Sequence, residues 1–269
     1  MMAFVLCLFF AGQANARMFN LQQVASSSVN VVRAATISDD EIIDYVSEAV
    51  YYMDKANRVL PASNPYSVRL KKLTSGILSV NGVPLNFRVY DIKGEVNAFA
   101  CADGSIRVTT QLMDLMNDDE LLAVIGHEIG HIGKSHCIKA IKKGLLSGAL
   151  HDFIGTYDRR IGSQQASRLV GLSEFIIVSK YSRKQELAAD DFGYEFMIRQ
   201  NKDPRDMVSA LKKLYQIEPE STILSRLFAK VFSTHPLTQS RIAHIEERCE
   251  ADGYPILNSI DRPKRLPRR

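Results

Sequence analysis

Residues 117–137 read NDDELLAVIGHEIGHIGKSHC, and the rest of the chain can be read outward from this stretch. Asp118 and Asp119 stand at its start, where carboxylates suit a helix N-cap and the positive end of the helix dipole. Leu121, Leu122, Val124, Ile125, Ile129 and Ile132 follow at spacings that bury most of a helix. His127, Glu128 and His131 interrupt that apolar run. Four residues of α-helix return to within ~40° of the starting direction, about 6 Å further along, so His127 and His131 share a face. Two imidazoles on one face can grip one ion, and Glu128 projects beside them toward an attacking water. Burying two titratable rings and a carboxylate without an ion or partners would cost several kcal/mol, so a metal centre is expected.

A chain of 269 residues holds one large domain or two small ones, and no repeat or low-complexity block argues against an ordinary core. The formal charge of +4 is concentrated at the end, where residues 261–269 carry five Lys/Arg against one Asp. The body is therefore neutral, which argues against nucleic acid as a partner. Residues 254–269 read as a basic disordered tail, with contact to anionic lipid as the alternative. The first sixteen residues, MMAFVLCLFFAGQANA, carry no charge, and Ala14-Asn15-Ala16 has the small-x-small pattern that precedes signal cleavage. Their apolar core, Ala3 to Phe10, is too short to span a bilayer. The expectation is a signal peptide over 1–16 and export to a periplasm, with an uncleaved anchor as the alternative. A flexible leader over 17–37 and a metal-binding domain over 38–253 would follow. Cys101, Cys137 and Cys249 lack zinc-finger spacing and are odd in number, so buried unpaired thiols are expected.

In chain order, Ser38 and Glu41 form a capping-box pattern before a helical stripe of Ile42, Tyr45, Val46, Ala49, Tyr52 and Met53. A second helix is expected over about Tyr66 to Leu78. Asn81-Gly82 then marks a turn, and residues 85–90 alternate as a strand. Val96–Ala100 and Ser105–Thr109 are two further strands about an Asp103-Gly104 turn. Residues 138–180 are mostly helical in composition, with apolar patches at 144–150 and 169–178 that are core or a flap against a membrane or substrate. Further helices are expected from Ser182 to Gln200, from Pro204 to Tyr215, near 221–231, and from Pro236 to Cys249.

Two imidazoles leave a catalytic zinc site one protein ligand short. Glu186, 55 residues beyond His131, is the best candidate, with Asp190 one turn on and the small residues Ala188 and Ala189 between them. Small side chains there would let this helix approach the His-bearing helix closely. The alternative is a solvated Glu/Asp pair on an amphipathic helix.

Taken together, GHEIGH, SRKQELAAD, STHPLTQSRI and the block NAFACADGSIRVTTQLMDLM resemble the zinc metallopeptidases related to HtpX and to CAAX prenyl endopeptidases, especially the periplasmic members. The likeness covers roughly Ser38 to Gly253. It implies an α+β, mainly α-helical zincin-like domain with a small antiparallel β-sheet before the active-site helix. It implies one zinc ion per chain held by His127, His131 and Glu186, and Glu128 as general base. Asp190 would accept a ring N–H of a ligand histidine, and His235 and Arg241 would line the opposite wall. Two departures stand out: the multi-span helices of HtpX-like enzymes are missing, and Cys7 lacks the small residues that precede a lipoprotein cysteine.

Within that frame His235 suits hydrogen bonding to a developing oxyanion, or else occupies the fourth zinc position at rest and moves aside. Arg241 would hold His235 or a substrate carbonyl, or be a surface cation. Asn97, Ala98 and Phe99 could offer a strand edge to an extended polypeptide substrate, the alternative being a hairpin packed in the core. The leading expectation is a zinc metalloendopeptidase acting on unfolded or misassembled envelope proteins. A chaperone-like assembly factor on the same fold and a purely structural four-ligand zinc site are the competing ones. His136 is expected only to meet the C-terminal dipole of the motif helix.

Overall fold

The computed structural model describes residues 32, 36–147, 149–150, 169, 171–177, 179–216, 235 and 239–256. The expected signal peptide, most of the leader, the helix near 221–231 and the tail beyond 256 lie outside the described residues.

Helix α1 (Asp39–Ala56) begins at the expected capping box: Glu41 N donates to Ser38 Oγ at 3.1 Å and Ser38 N to Glu41 Oε2 at 3.0 Å. Its buried stripe is Ile42, Val46, Ala49, Val50 and Met53. Helix α2 (Pro65–Leu73) has Asn64 as N-cap and Pro65 in its first turn, where the missing N–H costs nothing. It ends short of the expected Leu78. Strands β1 (Ser79–Val80) and β2 (Val83–Pro84) form an antiparallel hairpin about Asn81 and Gly82. Both turn residues have positive φ, 49° and 83°, which Asn and Gly tolerate best.

The main sheet contains β3 (Asn86–Tyr90), β4 (Ala98–Ala100) and β5 (Ser105–Thr109) in the order β3-β5-β4. Strands β4 and β5 form the expected antiparallel hairpin, with Ala98 opposite Val108. Strand β3 joins on the other side of β5 and runs parallel to it, from Asn86 opposite Ser105 to Tyr90 opposite Thr109. Alternation marks strands but does not say which one lies between the others. Here residues 91–97 carry the chain past β5's place before it turns back. Arg107 of β5 is buried and grips Asp54 of α1 with Nε (2.9 Å) and Nη2 (3.0 Å), while the Tyr90 hydroxyl donates to Asp54 Oδ1 at 2.7 Å. This cluster ties α1 to the sheet.

A short helix α3 (Thr110–Leu115), absent from the sequence expectation, leads into the motif helix α4 (Asp118–Gly133). The N-cap of α4 is Asn117 rather than Asp118 or Asp119. Its Oδ1 accepts from Asp119 N and Glu120 N, both at 2.9 Å, and Glu120 reaches back to Asn117 N. Glu120 is then free of solvent and pairs with Ser209 and Lys213. Helices α5 (His136–Ser147), α6 (Arg183–Arg199), α7 (Arg205–Gln216) and α8 (Gln239–Ala251) complete the body, and residues 171–177 are also helical.

Two apolar clusters hold these elements. One joins the sheet, α4, α6, α7 and α8; the other joins α1, α5 and the helical residues 171–177. Ile37 is buried in the second cluster, and Tyr254 and Ile256 pack on the first. The three described cysteines are buried free thiols, and no described helix is long and apolar enough to cross a membrane.

The contact that matters most for the site is α4 against α6. A Cβ on Gly130 would lie 3.2 Å from the Ala189 Cα and 2.9 Å from the Phe192 Cβ, tighter than packed side chains accept. Bare backbone on α4 facing Ala189 on α6 lets the two helices touch, which sets how near Glu186 can come to the histidines.

Candidate metal centre and active site

Helix α4 presents His127 and His131 on one face, as their spacing requires, with Nε2 atoms 3.0 Å apart. Glu186 sits in the first turn of α6, and its carboxylate approaches both rings: Oε2 is 3.7 Å from His127 Nε2 and Oε1 is 3.6 Å from His131 Nε2. His235 adds Nδ1 at 3.4 Å from His127 Nε2 and 3.2 Å from Glu186 Oε1. All four side chains are buried and their ligand atoms lie within 4.8 Å of one another. A tetrahedral zinc ion with bonds of about 2.0–2.1 Å spaces its ligand atoms ~3.3 Å apart, so separations of this size suit one ion.

Glu128 follows His127 on α4. It is 2 % exposed, and its Oε2 has no hydrogen-bond partner among the described residues. Burial raises its carboxyl pKa above the ordinary range, although His235 and His127 pull it back. His235 Nε2 is 3.6 Å from Glu128 Oε1, so this imidazole spans the base and the ligand cluster. Burial lowers the pKa of His235, but Glu128 and Glu186 outweigh that and leave it raised.

Behind the ligands lies an ionic brace. Arg241 of α8 is 2 % exposed and holds Asp190 with two contacts, Nε to Oδ2 at 2.7 Å and Nη2 to Oδ1 at 2.6 Å. Its Nη1 is 2.6 Å from Glu186 Oε2. Asp190 Oδ1 in turn lies 2.8 Å from His127 Nδ1, close though not squarely in line with the ring N–H. Burial opposes ionisation of Asp190, yet Arg241 and His127 overcome it and hold the carboxyl at about 2. Glu186 is likewise pushed up by burial but drawn below its ordinary value by His235, Arg241 and His127. The surface-cation expectation for Arg241 is overturned, because α8 packs onto α6 and buries the guanidinium between two carboxylates. It braces Asp190 and Glu186 and also borders the cavity beside His127, Glu128 and His235.

Two groups went unrecognised in the sequence. His136, expected only to meet a helix dipole, puts its Nδ1 3.0 Å from His131 Nδ1. Tyr181 stacks on the His131 ring with centroids 4.0 Å apart, and its hydroxyl lies 3.2 Å from Cys137 Sγ. The sequence signal was present in part, since His136 falls five residues after His131 where α5 starts. Tyr181 had none. Burial, with the other histidines, keeps His131 well below its ordinary pKa, hence a neutral ring able to offer a lone pair.

The expected substrate edge is narrower than the three residues named for it. Phe99 turns its ring away into the second cluster, edge-on to Tyr90 at 6.0 Å. Asn97 commits its backbone to Thr109, accepting at 2.9 Å and donating to Oγ1 at 2.8 Å. Antiparallel alternation then leaves Ala98 with its N–H and C=O facing the open side of β4. Ala98 alone of the three borders the cavity of about 40 Å³ beside His127 and Glu128. Leu112, Val124, Met207, Leu211 and Leu214 supply its apolar walls.

A helix carrying His-Glu-x-x-His, a glutamate from a second helix and an apolar cavity beside the glutamate of the motif together define a metallopeptidase-type site. The chain belongs to peptidase family M48, whose model matches residues 68–249, and it is a peptide hydrolase. It is similar to the metalloprotease LoiP of Escherichia coli, 33 % identical over 229 residues, 85 % of this chain and 88 % of the relative. It is similar to the metalloprotease YcaL of the same organism, 31 % identical over 238 residues, 88 % and 91 % of the two chains. A protease HtpX homologue of Salinibacter ruber is 29 % identical over 180 residues, 56 % of this chain and 63 % of the relative.

Proposed function

We propose that this protein is a zinc-dependent endopeptidase in which His127, His131 and Glu186 hold the metal and Glu128 is the general base. The observation that carries this reading is the convergence of three ligand atoms from α4 and α6 beside a buried carboxylate with a free oxygen. A bound divalent ion would supply Lewis acidity to the scissile carbonyl and to the attacking water. Glu128 takes the proton of that water and delivers it to the departing amine; a carboxyl raised by burial suits both halves of that transfer. His235 faces both Glu128 and the ligand cluster, so it can donate to the carbonyl oxygen as charge develops there. Ala98, on the open side of β4, gives an extended peptide a backbone partner next to the cavity.

A preference for extended chains fits substrates that are unfolded or misassembled, and the uncharged, apolar N-terminal sixteen residues fit export to a periplasm where such envelope proteins occur. One observation favours a second reading of the resting state. His235 lies close enough to serve as a fourth donor, and in that reading cleavage would require His235 to withdraw from the cluster. A purely structural ion would be held by the same four groups.

Metal analysis of the purified protein, with a chelator-sensitive casein cleavage assay, separates these readings. One zinc per chain and cleavage abolished by chelation are expected. Glu128→Gln should keep the metal and lose cleavage by at least about 100-fold, the contribution usual for general acid–base catalysis. Undiminished cleavage by that variant removes Glu128 as the base, and a metal-loaded wild type that never cleaves favours the structural ion.

A further inference from the structure

Each ring that offers Nε2 to a metal must carry its proton on Nδ1, and that proton needs an acceptor to fix the tautomer and the ring plane. For His127 the carboxylate on that side is Asp190, 2.8 Å from Nδ1 though off the line of the N–H, and clamped by Arg241. For His131, among the described residues, the neighbour within hydrogen-bond distance of Nδ1 is Nδ1 of His136, at 3.0 Å. We propose that His136 is the positioning residue for His131, accepting its Nδ1–H and so aiming Nε2 at the metal. This rests on the metal-site reading above.

The assignment fixes both tautomers. His131 is neutral with its proton on Nδ1, so His136 Nδ1 must be the bare nitrogen and His136 must carry its own proton on Nε2. The chain geometry makes the contact local. Helix α4 ends at Gly133, Ser135 takes a positive φ of 54°, and α5 starts at His136, which folds that side chain back beneath the last turn of α4. His136 is 4 % exposed, so water does not compete for the bond. Tyr181 closes the opposite face of His131 at 23° to the ring plane, leaving the imidazole little freedom except rotation within its slot. The hydrogen bond to His136 resists that rotation. The two metal-binding rings are thus oriented unequally, one by a braced carboxylate and one by a neutral imidazole.

Two substitutions separate an acceptor from a filler. His136→Phe keeps a ring beside Tyr181 but has no acceptor, whereas His136→Asn places a carbonyl oxygen near the position of Nδ1. Zinc affinity, measured by competition with a chromophoric chelator, is the primary readout, and the visible spectrum of the cobalt-loaded protein is the second. His136→Phe is expected to weaken zinc by about 10–100-fold, the usual effect of removing such a partner, and to alter the cobalt spectrum. His136→Asn is expected to stay within a few-fold of wild type in both. Equal zinc affinity for His136→Phe and wild type overturns the proposal, as does an Asn variant no better than Phe. A wild type that binds no zinc at all would instead overturn the metal site on which the proposal rests. Melting of the metal-free variants identifies a folding failure, and the Asn variant then carries the decision alone.

Discussion

Replacing Asp190 by Asn tests the ionic brace most directly, because shape is kept and only the charge is lost. In the native site Arg241 touches Asp190 twice, at 2.7 and 2.6 Å, and Glu186 once, at 2.6 Å. Removing one partner of a buried pair costs about 3–5 kcal/mol when the other charge is left bare. Arg241 would keep Glu186, so the lower end applies and the metal-free protein should lose ~3 kcal/mol. Zinc affinity should fall as well, by about 10–100-fold, since His127 loses its anionic acceptor. The assay is urea unfolding of the metal-free protein combined with a double-mutant cycle. Adding Arg241→Met removes both sides of the Asp190 pair but deprives Glu186 of its cation, so the double variant should lose less than the sum of the two single variants. A cost for Asp190→Asn below about 1 kcal/mol, or strict additivity in the cycle, would refute the brace.

Other perturbations probe the supports of the site. Gly130→Ala should cost about 1–3 kcal/mol by overpacking against Ala189 and Phe192, and should weaken zinc because α6 carries Glu186 away; unchanged affinity in a calorimetric titration would count against the close approach as a determinant. Arg107→Met leaves Asp54, a partly buried carboxylate, with Tyr90 and the half-exposed Arg88 as its remaining partners among the described residues, so a loss of about 1.5–3 kcal/mol is expected in denaturant unfolding. Burial raises the Glu120 carboxyl, but Lys213, Ser209 and the Asn117 N–H outweigh it and leave its pKa lowered. A lowered folded pKa contributes stability above the unfolded value of about 4.3 and loses it as pH falls through the folded value. Lys213→Met should therefore flatten the acid side of a stability–pH curve measured by urea unfolding, and an unaltered curve would show that the pair is idle.

Much of the site was legible along the chain because helix geometry is local. A spacing of four brings His127 and His131 onto one face whatever surrounds them, and the same spacing relates Glu186 to Asp190 on α6. The capping box at Ser38 is local for the same reason, while the start of α4 moved by one residue because Asn, Asp and Asp are all adequate caps in sequence. The alternation of residues 85–90 and 105–109 identified strands, and the hairpin of β4 and β5 followed from a short turn.

What the chain could not disclose depends on contacts between residues far apart. Whether Arg241 faced solvent or two carboxylates turned on α8 packing against α6, which no local pattern encodes. The parallel addition of β3 to β5 is a choice among pairings that share one hydrophobic alternation. Only the register with β5 turned the backbone N–H and C=O of Ala98 away from that strand; the side chains of Ala98 and Phe99 are both buried, in different clusters. His136 looked like a helix-end cation by position, yet folding placed it against His131. The sequence by itself determined the donors and the helices that carry them, because covalent spacing and helical pitch suffice for that. The tertiary structure alone decided their charges and orientations, because both depend on which distant groups exclude water from them.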